Sequence, residues 1–263
     1  MLPLVTVVIP VLHDAEAAAT LLAQIPATRE VEIMVVDGGE DTGLEGVVAP
    51  HDRARLRRAP AGRASQMNAG AAEAAGEWLL FLHADSTLPP AWLPAIAALD
   101  SDEVGGWFRF ALDDAAWQAR VIERLVAWRV RLLRLPYGDQ GLFVRRRVFQ
   151  LLGGFRELPL LEDVEFVRRL VRAGRVVELP MALGTSSRRW RCDGWFRRSA
   201  QNAVIVMLYV AGVSPARLAR WYHHPGSHPT AQACAAGTAD HHPTAQACAA
   251  GTPDRRATRG RVT

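Results

Sequence analysis

From Leu4 to Leu12 the chain reads LVTVVIPVL, an almost unbroken run of β-branched and apolar residues. A run of that length with no polar alternation predicts a strand buried on both faces, as in a parallel sheet. HDAEAAATLLAQI follows, an alanine-rich helical stretch opened by Asp14, whose carboxylate suits a helix start. VEIMVVDGG predicts a second buried strand that ends on Asp37, and ARLRRAP a short third one. GRASQMNAGAAEAAG predicts a helix of small residues able to lie close against a sheet, and EWLLFLHAD a further strand. Strands alternating with helices imply right-handed crossovers and a mostly parallel α/β sheet. Ligands bind such sheets outside the carboxyl ends of the strands, where Asp37, His83 and Asp85 fall.

The second half is less regular. VGGWFRFALDD predicts a strand, and AAWQARVIERLVAWRVRLLRL a long helix. Trp117, Val121, Leu125, Trp128 and Leu132 recur there at helical spacing with arginines between, which predicts an amphipathic helix that buries that side. PYGDQGLFVRRRVFQLLGGF predicts a glycine-bounded loop, a strand and a short helix. LEDVEFVRRLVRAG predicts a helix whose first turn carries Glu162, Asp163 and Glu165, favourable to the helix dipole. AVIVMLYVAGV, from Ala203, is far shorter than the ~20 residues that span a bilayer. It reads as a buried helix, as one resting on a membrane surface, or as a dimer seam.

Composition changes the picture in a few places. Of 263 residues 49% are apolar, enough for a sizeable core and incompatible with disorder throughout. The net charge is +4 and the chain has no lysine, so each of its 31 basic residues is an arginine, a planar fork suited to phosphate and carboxylate. The arginines are spread over several helices instead of forming one stripe with interleaved aromatics, which speaks against a nucleic-acid partner. The three cysteines form no even, close framework, which makes a reducing compartment the default. The first residues lack a basic flank and a cleavage site, so they read as strand and not as a signal peptide. Beyond Tyr222, HPTAQACAAGT occurs twice, from His228 and again from His242. The repeat is too short and polar to bury a core, so residues 223–263 are expected to form a disordered tail. His228, Cys234, His242 and Cys248 could in principle bind a metal, but their spacing makes no tight ligand pair, so a tail without a metal is expected.

Four segments carry candidate chemistry: VVDGGEDTG, GRASQMNAGA, HAD and LLED. Each alone has a plain structural reading, since an aspartate ending a strand often caps a turn and Glu162-Asp163 could simply start a helix. Taken in order, and joined by VTVVIPVLHDAE at the front and SSRRW downstream, they resemble glycosyltransferase family 2, over roughly Thr6 to Tyr222. The resemblance implies a GT-A fold: a Rossmann-like, mostly parallel sheet flanked by helices, with a helical acceptor side. It implies a domain over residues 1–222, with a nucleotide-binding half to about residue 114 and an acceptor half from 115. On the nucleotide-sugar side it points to Pro10, Glu16, Asp37, Arg63 and Asn68, with His83 in HAD where the family's first Asp-x-Asp aspartate usually stands. GGEDTG stands where a Gly-Ser-x-Asp-Gly-Thr pattern is commoner.

The same resemblance assigns Asp85 to a divalent metal, manganese or magnesium, which neutralises charge on the leaving diphosphate. His83 bonds a phosphate, helps bind manganese or shapes the turn; it is expected to support the metal site from behind Asp85. Asp163 is expected to be the general base, oriented by Glu162. Asp139 is an acceptor contact or a turn aspartate. Arg188, Arg189 and Trp190 either steady the diphosphate, cover the site or close a strand end; the family pattern places Arg189 and Trp190 on the nucleotide sugar. YGDQGLFVRR, GGF, PLLEDVEFVRRL, TSSRRW and LYVAGVSP further resemble a bacterial subgroup labelled arsenosugar-biosynthesis or radical-SAM-associated glycosyltransferases. The expected activity is inverting sugar transfer from a nucleotide-sugar donor to an unidentified acceptor, a small molecule or a lipid-like one. The expected location is the cytoplasm, with the inner membrane face and a homodimer as further expectations. A nucleotidyltransferase and a non-catalytic arginine-rich binding module are the alternatives; PVLHDAE lacks the glycine-rich basic loop of the first.

Overall fold

A computed structural model describes residues 2–39 and 43–222 of the chain. The repeats with their histidines and cysteines, and the expected tail, lie outside the described residues.

The first half alternates as its pattern predicts. Strand β1 (Val5–Val11) leads into helix α1 (Ala15–Leu22), β2 (Val31–Asp37), α2 (Gly43–Val48), β3 (Ala54–Arg58), α3 (Arg63–Ala72) and β4 (Trp78–Phe81). Asp14 caps α1 by accepting from the Ala17 amide. Both β1 and β2 are buried along their whole length. Their side chains alternate between two cores. Val5, Val7, Ile9 and Val11 pack with Leu21 and Leu44. Val8 packs on the other face with Met34, Met67 and Phe166. Helix α3 approaches closely because its residues are small: a Cβ on Gly70 would lie 2.6 Å from Val8 Cγ1.

After β4 come a two-residue strand β5 (Ser86–Thr87) and α4 (Trp92–Ala97), then β6 (Glu103–Leu112) and α5 (Trp117–Leu133). A 3₁₀ turn at Gly138–Gln140 precedes β7 (Leu142–Arg145) and α6 (Arg146–Leu151). The chain continues through α7 (Glu162–Ala173), β8 (Arg175–Thr185), α8 (Arg188–Asp193), α9 (Trp195–Val210) and α10 (Pro215–Tyr222). The sheet order is β3-β2-β1-β4-β7-β6-β8-β5. It is parallel from β3 to β4 and between β6 and β8, and antiparallel where β7 and β5 enter.

One expectation about apolar surface is corrected, and a second is narrowed. Helix α5 is amphipathic, but the side it buries carries Ala119, Ile122 and Val130, while the tryptophan stripe faces outward. Ala119 and Ile122 pack with Phe110 and Leu112 of β6 and with Trp190, which leaves the bulky stripe outside. The late apolar stretch lies in α9, which buries Ile205 and Val206 and exposes Met207 and Val210, so it is only half a core helix.

Candidate active site

Sheet register brings the chemistry to one edge. Phe81, the last residue of β4, pairs with Leu142, the first of β7. The Gly138–Gln140 turn before β7 therefore stands beside His83 and Asp85 after β4. Ser86 pairs with Thr185, the last residue of β8, which turns the chain away from Asp85 and sets Asp85 beside Thr185 and Ser186. A cavity of about 130 Å³ opens there, lined by Arg63, His83, Asp85, Asp139, Asp163, Arg189 and Trp190 among others.

Asp163 sits in the first turn of α7. Leu161, just before that turn, has φ +66°, a left-handed conformation uncommon for a branched residue. The Gly138 amide donates to Asp163 Oδ2 at 2.5 Å, and the Val164 amide to Oδ1 at 2.7 Å. These bonds fix the carboxylate, and each oxygen keeps a lone pair for another proton. Glu162 is buried and faces Arg63, with Nε to Oε1 at 2.7 Å. Burial pushes the Glu162 carboxyl up, and Arg63 opposes that shift. The hydrogen bonds that orient Asp163 thus come from the Gly138 and Val164 amides, and Glu162 pairs with Arg63. A Cβ on Gly138 would lie 3.1 Å from Asp163 Oδ2 and 3.2 Å from His83 Nε2, so glycine lets the two groups share this corner.

His83 is half-buried, and burial together with Arg63 and Arg189 lowers its pKa to about 3. Its ring is neutral at ordinary pH and keeps a nitrogen lone pair. Asp139 is raised to about 6, first by burial, against the pull of Arg129. Asp139 Oδ1 and the Tyr137 hydroxyl are buried without a hydrogen-bond partner among the described residues, although both side chains line the cavity. Asp37 is fully buried at the end of β2. Its Oδ1 accepts from the Gly39 amide at 2.8 Å, and its Oδ2 has no partner among the described residues. Gln66 ties the ends of the first two strands together by donating to the carbonyls of Val11 and Val36, both at 2.8 Å.

Other sequence candidates are placed elsewhere. Pro10 pairs with Val36 in the sheet and lines a small apolar cavity behind His83 and Asp163. Glu16 is exposed in the first turn of α1. Both ends of the Asn68 amide engage the Phe155 backbone, at 2.8 and 2.9 Å, so Asn68 clamps a loop and does not line the cavity. Arg188 reaches Asp14 at 3.3 Å, whereas Arg189 and Trp190 face the cavity. Trp190 is held by its indole bond to Ser199, 3.1 Å long.

Sequence reasoning missed Tyr137, Thr185, Arg198, Asn202 and Tyr222, which also line the cavity. The hint for Tyr137 was its place beside Gly138 and Asp139; the others belong to no recognisable spacing. Arg198 is fixed by Asp193 at 2.7 Å and the Tyr222 hydroxyl at 2.6 Å.

No group of three His, Cys, Asp or Glu among the described residues is arranged to hold a metal ion. Of the two groups after β4, the Asp85 carboxylate is of the oxygen type that hard cations take beside substrate phosphates, whereas the neutral His83 imidazole is not.

The family described as Glycosyl transferase family 2 matches residues 6–147. Uncharacterized glycosyltransferases of Mycobacterium bovis and Mycobacterium tuberculosis are 33% identical over 187 residues, covering 68% of this chain and 85% of theirs. Among solved structures, S. aureus TarS 1–349 in complex with UDP-GlcNAc has a TM-score of 0.54 at 16% identity, covering 82% of this chain and 69% of that one. TarS in a longer form gives 0.52 at 17% identity, with 82% and 41% covered. At such identities the likeness speaks for the fold, a GT-A arrangement.

Proposed function

This chain belongs to glycosyl transferase family 2 and is a glycosyltransferase, and we propose that it transfers a sugar, with inversion, from a nucleotide-sugar donor to an acceptor hydroxyl. The observation that carries this reading is Asp163, fixed by the Gly138 amide and facing the same cavity as His83 and Asp85. The acceptor hydroxyl gives its proton to Asp163 as its oxygen forms a bond to the anomeric carbon. The bond from that carbon to the diphosphate oxygen breaks, and its electron pair leaves with the nucleotide. No second carboxylate is assigned as a nucleophile, so one displacement inverts the configuration.

Asp37, whose Oδ2 has no partner among the described residues, would take the nucleoside, and Arg63 and Arg189 the diphosphate. TarS, of like fold, is described in complex with UDP-GlcNAc, which supports a nucleotide sugar as the donor class. Asp85, with His83 beside it, would hold a divalent cation, which supplies charge neutralisation at the departing diphosphate. Asp139, whose Oδ1 has no hydrogen-bond partner among the described residues, and Tyr137 beside it would meet the acceptor. Residues 1–222 would form the transferase domain, its donor half reaching about residue 114. The arsenosugar-associated subgroup is supported by the five motif segments quoted above.

Asp163→Asn is expected to lower transfer by roughly 10²–10⁴-fold while keeping donor affinity, because the base acts on the acceptor. Calorimetry with a panel of nucleotide sugars, and the product's configuration from proton couplings, test both statements. Retained configuration, or a variant that transfers normally, would reduce Asp163 to a helix cap.

A further inference from the structure

We infer that the outward faces of α5 and α9 together form a docking surface for an anionic lipid bilayer. On α5, Trp117, Trp128 and Leu132 share one face at helical spacing, and Trp117 and Trp128 are 64% and 66% exposed. On α9, Phe196 and Met207 share another face and are 48% and 62% exposed. The two faces adjoin, since the rings of Trp117 and Phe196 lie 5.9 Å apart. Two exposed tryptophans and a phenylalanine on paired amphipathic helices are what an interfacial surface presents.

Charge selects the occupant. Arg124 and Arg131 are exposed along one flank of the α5 stripe, seven positions and so nearly two turns apart. The one acidic residue of α5, Glu123, is engaged by Arg120 and the Leu112 amide. Neither α9 nor α10 contains an acidic residue. A second copy docked here would bring like charges together, whereas phosphate headgroups complement them. The opposite side of α9 carries Asn202, Ile205 and Val206 into the cavity, so docking would set the cavity one helix away from lipid. This inference stands independently of the transfer reaction.

The test is flotation of the full chain with phosphatidylcholine vesicles and with the same vesicles doped with phosphatidylglycerol. The expected result is binding to the doped vesicles, weakened by salt, with a blue shift of tryptophan emission. Trp128→Ser with Leu132→Ser should reduce partition by about tenfold or more and leave thermal unfolding and donor hydrolysis unchanged, as both side chains are exposed. Arg124→Glu with Arg131→Glu should abolish the preference for doped vesicles. Wild-type protein that floats with neither vesicle would overturn the inference. So would a dimer in sedimentation equilibrium that Trp128→Ser with Leu132→Ser dissolves, since a second copy would then be the occupant.

Discussion

Asp85 and His83 stand two positions apart past the end of β4, yet their surroundings differ. His83 is neutral because burial and two arginines disfavour a third positive charge, so it offers a lone pair and no charge. In the proposed metal site Asp85 would therefore supply the negative charge a cation needs. Asp85→Asn is expected to remove most turnover with an unchanged thermal transition, and His83→Ala to cost less. Turnover titrated with manganese, and repeated in excess chelator, checks the pair; full activity in chelator would sink the metal assignment. Asp139 titrates abnormally in the other direction. Its carboxyl is pushed from 3.8 to about 6 by burial, so the folded protein prefers it protonated. The sign follows: stability associated with this group is present below about pH 3.8, declines as pH rises through about 6, and is then flat. Across that window the wild type should lose about 1–3 kcal/mol relative to Asp139→Asn, an upper range for a group that still meets some solvent. Thermal unfolding of both proteins against pH reads the difference, and parallel curves would refute it.

At the level of elements, the readable strands are those buried on both faces. Such burial removes every polar position, and so β1, β2 and β4 stand out as apolar runs. Strand β8 was not legible, because Glu178, Pro180 and the partly exposed positions around them break both the run and the alternation. β5 is too short to leave a pattern at all. Helix α5 shows a different limit: spacing reveals two sides without saying which is buried, and the larger side chains ended outside. The strand ends exposed His83, Asp85 and Asp37 to sequence reasoning, whereas Arg198, Asn202 and Tyr222 reach the cavity only through the packing of α9 and α10. Asn68 was readable as a special residue but not for its task. It joins α3 to the Phe155 backbone through two hydrogen bonds, a cross-link between segments 87 positions apart. Asn68→Ala leaves a donor and an acceptor of Phe155 unpaired, and should cost about 1–3 kcal/mol. Chemical denaturation measures the loss, and donor affinity measured beside it should stay within a few-fold. A large drop in affinity with no loss of stability would return Asn68 to the nucleotide.

For the whole molecule, the question is how far along the chain the fold is complete. The two cores on either side of the sheet draw on residues between Leu4 and Leu183. A third apolar cluster joins Leu160, Leu161 and Val164 of the α7 region to Ile205 and Val206 of α9 and Leu218 and Ala219 of α10. Tyr222 ends α10 and packs on that cluster, while its hydroxyl accepts from Arg198 on the wall of the cavity. The working unit should therefore extend at least to Tyr222. Deletion from Gly226 onward is expected to preserve the thermal transition and turnover, because it leaves every one of these contacts intact. Deletion from Pro215 removes Leu218 and Tyr222, which uncovers the apolar cluster and leaves Arg198 without one of its anchors. That shorter protein should melt several degrees lower and lose transfer even where it stays folded. Calorimetry and transfer assays on both truncations separate the cases. Aggregation of the Gly226 truncation, or loss of its transition, would show that the repeat-bearing segment belongs to the fold.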